Sequence, residues 1–269
     1  MKNLPSEYDF LTPNKTSNLC RLGVEKDGGY ILNQEFLNKS NFLISFGMAE
    51  EYPFEVDFLN LNSKNKLIIF DFSISHIHYL KEIFKNLRRI VKFKRTPVDL
   101  FKCLKNYFNF LNFINKKNVK FYSKKINSVN NKDNNITIKK IFENLSEKDK
   151  KNITFKIDIE GTEYEIIDKI LSYEKNIDQL IIEFHDTHIK KFEFFSNIRK
   201  LQEYFDITHI HANNYREYNQ DGFPINVEIS FLNKSLKGTI VKNFDYPISN
   251  LDFPNNPDIQ DLKFSFKKN

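Results

Sequence analysis

Tryptophan is absent and cysteine nearly so: the 269-residue chain carries two cysteines, Cys20 and Cys103. Two isolated thiols make neither a metal-ligand cluster nor a disulfide framework, so a reducing cytoplasm is the expected setting. Glycine is scarce, at seven residues, and the three-glycine fingerprint of nicotinamide dehydrogenases is not among them. No apolar run is long enough to span a bilayer, and the opening MKNLPSEYDF lacks the apolar segment of a secretory signal, so no stable membrane insertion is expected. A strong excess of one charge is missing as well. The 41 basic and 35 acidic residues leave +6, read as spread along the chain. A nucleic-acid binder would cluster its Lys and Arg on one element. The nearest case, Lys81 to Arg95, reads more simply as an amphipathic helix running into a strand, and no nucleic-acid partner is expected. No internal repeat or interdomain linker interrupts the chain.

What is present is a core, at 40% hydrophobic residues, with 28 Phe and 12 Tyr. Cys20 to Leu32 reads as two short runs around an Asp27-Gly28-Gly29 turn. Short buried strands follow at 41–46, 66–70, 119–126, 153–159, 179–184 and 207–210. A further strand at 89–97 and an antiparallel edge strand at 227–232 complete the set. Helices fall between them, from about Pro53, then at 74–87, 98–114, 136–145, 162–173 and 192–205. The alternation predicts a doubly wound α/β sheet. Its parts are an N-terminal extension with a hairpin (1–40), a Rossmann-like domain (41–233) with a helical insertion at about 89–115, and a surface tail (234–269).

The strand ends carry the chemistry. Ligands of open α/β sheets bind at the carboxyl ends of the strands. Gly47, Asp71, Asp158 with Glu160, His185 and His211 all fall on that rim. Strand, Gly47 loop and helix open a nucleotide-binding half. Asp71 stands 24 residues after Gly47 (71 − 47), close to the spacing expected for an acid on a ribose diol. A strand delivering Asp158 and Glu160 to its own end, before Gly161, marks an active-site edge. Four of the six histidines, at 185, 188, 209 and 211, cluster at the last two strand ends.

Together these segments resemble the FkbM-type family of S-adenosylmethionine-dependent methyltransferases. The matching pieces are Arg21-Leu22-Gly23, Asp27-Gly28-Gly29-Tyr30, Ser45-Phe46-Gly47 with Phe54-Glu55, Asp71, Lys156 to Glu163 (KIDIEGTE), Glu183-Phe184-His185, and His209 to Asn214 followed by Glu228. They span roughly residues 20 to 232. The resemblance implies a class I methyltransferase fold of seven strands, the last antiparallel. It implies S-adenosylmethionine over Gly47 with its ribose on Asp71, and a cofactor set of Tyr30, Ser45, Phe46, Gly47, Asp71, Phe72 and Asp158. It also implies methylation of hydroxyl groups, often in bacterial surface-glycan biosynthesis. Ala49 stands where a second loop glycine is usual, so the loop is expected to keep φ negative there or to shift the cofactor.

A sugar hydroxyl is a weak nucleophile at neutral pH and needs a base or a metal. His185 is the expected base, Asp158 its orienter, and Glu160 and His211 the next candidates. In a variant, Asp158, Glu160 and His185 hold Mg²⁺ or Mn²⁺. The competing classes are a metal-dependent nucleotide-sugar glycosyltransferase, with Asp158-Ile159-Glu160 as a loose acid pair, and a non-catalytic nucleotide-binding module. The acceptor is a small molecule or glycan. The aromatic segment Phe101 to Phe113 is where a lid or homo-oligomer contact would form.

Overall fold

The computed structural model describes residues 2–15, 18–40, 42–129, 134–236, 241–242 and 245–266. Expectations for residues 1, 16–17, 41, 130–133, 237–240, 243–244 and 267–269 fall outside the described residues. After an N-terminal segment with a 3₁₀ turn at Ser6–Leu11 comes a hairpin, β1 (Leu19–Leu22) with β2 (Tyr30–Asn33). The sheet strands follow: β3 (Phe42–Phe46), β4 (Lys66–Phe70), β5 (Val119–Tyr122), β6 (Ile153–Ile157), β7 (Ile177–Phe184), β8 (Phe205–Ala212) and β9 (Val227–Asn233). The helices that bear on the site are α1 (Pro53–Leu61), α2 (His76–Val91), α3 (Pro97–Ile114), α4 (Ile138–Glu143), α5 (Glu163–Leu171) and α6 (Lys191–Tyr204).

The seven strands lie in the order β8-β9-β7-β6-β3-β4-β5. The five from β7 to β5 are parallel, and β9 runs antiparallel to both its neighbours. All residues of β3, β6, β7 and β9 are buried, as expected where helices cover both faces of a sheet. One apolar layer packs α4, α5 and α6 on the sheet, around Phe142, Ile166 and Phe194. The other packs the hairpin with α1, α2 and α3, around Tyr30, Phe58, Tyr79 and Phe110. The chain reverses direction across the sheet between β3 and β6. Gly47 ends one of these strands and Asp158 the other, so the crevice opens between them.

The sequence reading and the structure differ in four places. The strand expected at 119–126 ends at Tyr122, and Lys125–Ile126 pairs instead with Asn135–Ile136 in a separate two-stranded ladder. Residues 89–97 are not a strand. The helical spacing of Ile83, Asn86 and Ile90 carries α2 on to Val91, and Pro97 opens α3, whose N-terminus is closed by the reciprocal Thr96–Asp99 capping box. The strand at 227–233 is not at the edge. It slots between β7 and β8, with Glu228 opposite both Glu183 and His211, and β8 becomes the edge. The tail is more than a surface wrap, because Tyr246, Phe264 and Phe266 are buried in the first apolar layer. Phe264–Ser265 pairs in parallel with Lys2–Asn3, so the two ends of the described chain close on each other.

Candidate active site

A cleft of about 240 Å³ opens at the switch point, against Gly47, Asp71, Phe72, Ile126, Asp158 and Glu160 among others. Gly47 has φ +77°, and a Cβ there would lie 1.7 Å from the Asp158 carbonyl oxygen. The close approach of the β3 and β6 ends therefore requires glycine. Lys156 supports the same loop from below. Its buried ammonium donates to the Gly47 carbonyl, 3.7 Å from Glu55 Oε1 and 4.0 Å from Asp158 Oδ2. Burial alone would lower the Lys156 pKa, but Glu55, Asp158, Glu183 and Asp71 outweigh it and hold it above the usual lysine value.

Asp71 clamps the loops on either side of it. Oδ2 accepts from the amides of Met48 (2.8 Å) and Ala49 (2.9 Å). Oδ1 accepts from the Ser73 amide (2.7 Å) and hydroxyl (2.6 Å) and from the Ile74 amide (3.3 Å). A carboxylate has about four lone-pair sites. All are taken, so in this arrangement Asp71 shapes the cleft and has no acceptor site left for a ribose diol. Ala49 does not keep φ negative either. It sits at φ +54°, a conformation that disfavours a Cβ, and the Asp71 bond to its amide holds it there.

Three ionisable side chains converge beside the cleft. Single ligand atoms of Asp158, Glu183 and His185 lie within 4.8 Å of one another. His185 Nε2 is 3.5 Å from Glu183, 3.7 Å from Glu160 and 3.8 Å from Asp158. Behind the ring, buried Glu163 braces the whole edge. Its Oε1 accepts from the His185 amide (2.8 Å) and lies 3.3 Å from Nδ1, and its Oε2 accepts from the Gly161 amide (2.7 Å). Glu183 accepts from Asn213 Nδ2 at 2.8 Å, and the Tyr30 hydroxyl donates to Asp158 at 3.1 Å. The turns that deliver these groups are strained. Glu160 and Asp186 both hold positive φ, at +52° and +53°.

Burial opposes the charge on His185. The hydrogen bond to Glu163 and the charges of Glu183, Glu163 and Asp158 prevail, pushing the imidazole up to about 9. It is therefore an imidazolium at neutral pH. Burial, then Asp158 and Glu228, push Glu183 well above the usual carboxylate range. Asp158, with 27% of its side chain exposed, is the member of the trio open to the cleft.

The expected residues thus separate. Gly47, Phe72, Asp71, Asp158 and Glu160 line the cleft, Phe72 at 64% exposure and the Glu160 side chain at 87%. Ser45 does not reach it, because it is fully buried and its hydroxyl donates to Glu55 at 2.6 Å. The Phe46 ring packs against Phe70 and Phe155 in the core. Buried Tyr30 donates to Asp158 and does not line the cleft itself. His185 joins Asp158 and Glu160 as expected, but it is already charged at neutral pH and so is not a ready base. His211 is sealed away, 3.5 Å from Glu228 and 3.3 Å from Asp261 of the tail. Lys156, Glu55, Glu163 and Glu183 went unassigned in the sequence. For Lys156 and Glu183 the signal was a charge inside an otherwise apolar run, ITFKI and LIIEF.

The His211 cluster sets a pH dependence. Burial lowers its pKa, but hydrogen bonds to Asp261 and Glu228 and the charges of Asp252 and Glu228 win, raising it from 6.5 to about 10. A group whose folded pKa is raised contributes fully below its unfolded pKa, and the contribution is lost as pH rises through the folded value. The denaturant midpoint is expected to fall from about pH 6.5 to pH 10, and His211→Gln is expected to flatten that slope. A midpoint unchanged across this range in the unaltered chain would rule the cluster out.

No protein-family model and no curated protein matches the sequence. Similar solved structures exist. One is a precorrin-6y C5,15-methyltransferase from Geobacter metallireducens, with 12% identity, 74% of this chain and 87% of that chain covered, and TM-score 0.34. Another is the fibrillarin pre-rRNA processing protein of Methanococcus jannaschii, with 10% identity, 74% and 68% covered, and TM-score 0.39. The strand order decides the fold: the seventh strand of the sheet runs antiparallel and is inserted beside the fifth. The chain has a class I methyltransferase fold. The Asp158–Glu183–His185 cluster lies at the ends of β6 and β7.

Proposed function

We propose that this chain is an S-adenosylmethionine-dependent O-methyltransferase. Its acceptor is a hydroxyl of a sugar or sugar-containing precursor, of the kind used in bacterial surface polysaccharide. The observation that carries the reading is the Asp158–Glu183–His185 cluster, set beside a cleft at the switch point of a sheet with this strand order. The residues present fit the cofactor. Phe72, Ile126 and Ile159 would offer apolar walls to a purine, Gly47 would allow close backbone approach, and the carboxylates of Asp158 and Glu160 would favour a positively charged sulfonium. When bound, it supplies an activated methyl group.

The chain's own residues do the rest. The Tyr30 hydroxyl holds Asp158 in place, and Glu163 fixes the His185 ring. Asp158 is the group placed to accept the hydroxyl proton, and the His185 imidazolium offsets the charge gathered there. Aligning acceptor and methyl donor in line is mainly a matter of orientation. A divalent cation would be held by Asp158, Glu183 and His185 Nε2, with Glu163 as the carboxylate behind the histidine, and would lower the pKa of a bound hydroxyl. Glu183 takes the place that the sequence reading gave to Glu160. Such a cation must displace the His185 proton, so its affinity rises with pH.

Calorimetric titration with S-adenosylhomocysteine, with Mn²⁺ or with chelator, tests both parts. Micromolar binding of S-adenosylhomocysteine is expected, together with Mn²⁺ binding that Glu183→Gln loses while still binding S-adenosylhomocysteine. Absence of product binding would overturn the reading, and binding of NAD or a nucleotide sugar in its place would name the successor.

A further inference from the structure

The helical pair α2–α3 is organised the wrong way round for a helix whose apolar stripe is core. Along α2, Ile77, Leu80, Phe84, Leu87 and Val91 recur at helical spacing, and all five are exposed, Val91 at 78%. Only Tyr79 of this helix is buried. The turn after it presents Phe93, 97% exposed, and α3 adds Val98, Phe101 and Phe108. Contiguous exposed apolar surface of this kind marks a contact with something.

Charge selects the partner. Residues 76–114 carry nine Lys and Arg against two acids, Glu82 and Asp99, and nine minus two leaves +7, compared with +6 for the whole chain. The excess that looked dispersed along the sequence therefore belongs to one helical pair. Lys81, Lys85, Arg88, Arg89 and Lys92 line a groove on the apolar stripe itself, around Phe84. A second copy of the chain would bring +7 against +7, and a nucleic acid would leave the Ile, Leu and Phe side chains without a partner. Among the described residues no helix is long and apolar enough to cross a membrane. A helix with an apolar stripe flanked by Lys and Arg is suited to lie in the plane of an anionic lipid surface.

We propose that α2 and α3 form a docking face for an anionic bilayer, with the stripe from Ile77 to Val91 entering the headgroup boundary and the flanking Lys and Arg on the lipid phosphates. The N-terminus of α2 adjoins the cleft, because His78 Nε2 lies 2.7 Å from Glu50 on the Gly47 loop. A chain held by this face would thus carry the cleft near the lipid surface.

Flotation of the full chain tests this, using vesicles of phosphatidylcholine alone and vesicles of equal parts phosphatidylcholine and phosphatidylglycerol. The chain is expected to float with the anionic vesicles, to remain with the soluble fraction beside the neutral ones, and to be released as salt is raised. Arg88→Gln with Arg89→Gln is expected to weaken the partition about thirty-fold, at roughly 1 kcal/mol for each basic side chain. Phe84→Asp with Val91→Asp is expected to abolish it. Phe84, Arg88 and Val91 are exposed and Arg89 is half-buried, and none belongs to the core, so the urea midpoints should match the parent and serve as the fold control. Failure to float, or flotation that survives Phe84→Asp with Val91→Asp, would overturn the proposal. So would a stable dimer in sedimentation that these two substitutions split, since the face would then be a seam between copies.

Discussion

Lys156→Met is expected to cost about 3–5 kcal/mol of folding stability, because it leaves a buried carboxylate without its counter-charge. Glu55 lies beneath the Gly47 loop, buried, with the Ser45 hydroxyl as its hydrogen-bond donor and the Lys156 ammonium at 3.7 Å. Methionine matches the lysine stem but supplies neither charge nor donor. The loss has two parts, the orphaned Glu55 and the released Gly47 carbonyl. Lys156→Met combined with Glu55→Leu separates them. Removing both ions should restore most of the stability, since replacing a whole buried pair with apolar groups is often neutral or better. The product affinity should stay weakened in the double variant, because the Gly47 carbonyl still lacks its donor. Urea unfolding of the four chains of this cycle, with product titration beside it, reads both effects. A single-variant loss below about 1 kcal/mol would mean that water reaches Glu55 and that the pair is not a structural unit.

That prediction concerns residues the sequence carried in plain view without assigning them, and the reason is physical. Parallel strands buried on both faces read as apolar runs, which is why 42–46, 66–70, 153–157 and 179–184 were legible, and with them the strand-end residues Gly47, Asp71, Asp158 and His185. A charge within such a run has to find a partner, because an unpaired buried ion is too costly. Lys156 and Glu183 therefore announced a buried network, although its members come from β6, β7 and α1 and no local pattern names the partner. Ser45 and Phe46 were misplaced for a simpler reason. They adjoin Gly47 in sequence, but the side chains of a strand lie within its layers and leave only the chain end to face the crevice.

Other features depended on long-range packing. The five bonds to Asp71 come mostly from backbone amides, which carry no sequence signature. His211 is sealed by Asp261, fifty residues later, so its seat at a strand end could not show that the tail covers it. The position of β9 was hidden too. A strand buried along its whole length can sit inside the sheet, and only its pairing with β7 and β8 distinguishes that from an edge. Charge was a different case: nine Lys and Arg against two acids lie within the continuous stretch 76–114 and could be counted in the sequence, but the average over the whole chain hid them.

Asp158→Asn is expected to lower the rate of methyl transfer by about 10²–10⁴-fold, the range associated with loss of a positioned proton acceptor. The substitution keeps the shape of the side chain and can still accept from the Tyr30 hydroxyl, so folding and product affinity should change little. Its effect should fall on kcat, with KM for the acceptor nearly constant, because the lost interaction forms as the proton moves. A second signature distinguishes this from disturbed packing. Asp158 is one of the carboxylates that hold the proton on His185, so its neutralisation should lower the His185 pKa from about 9 and move the alkaline limb of the pH–rate profile downward. Glu163→Gln should move that limb in the same direction through the other ring nitrogen, with a smaller loss of rate at its optimum, since Glu163 braces His185 and does not face the cleft. The measurement is S-adenosylhomocysteine formed with an acceptor that the unaltered chain methylates, across pH. An Asp158→Asn rate within tenfold of the parent would transfer the proton-accepting role to Glu160, the exposed carboxylate 3.7 Å from His185 on the same turn.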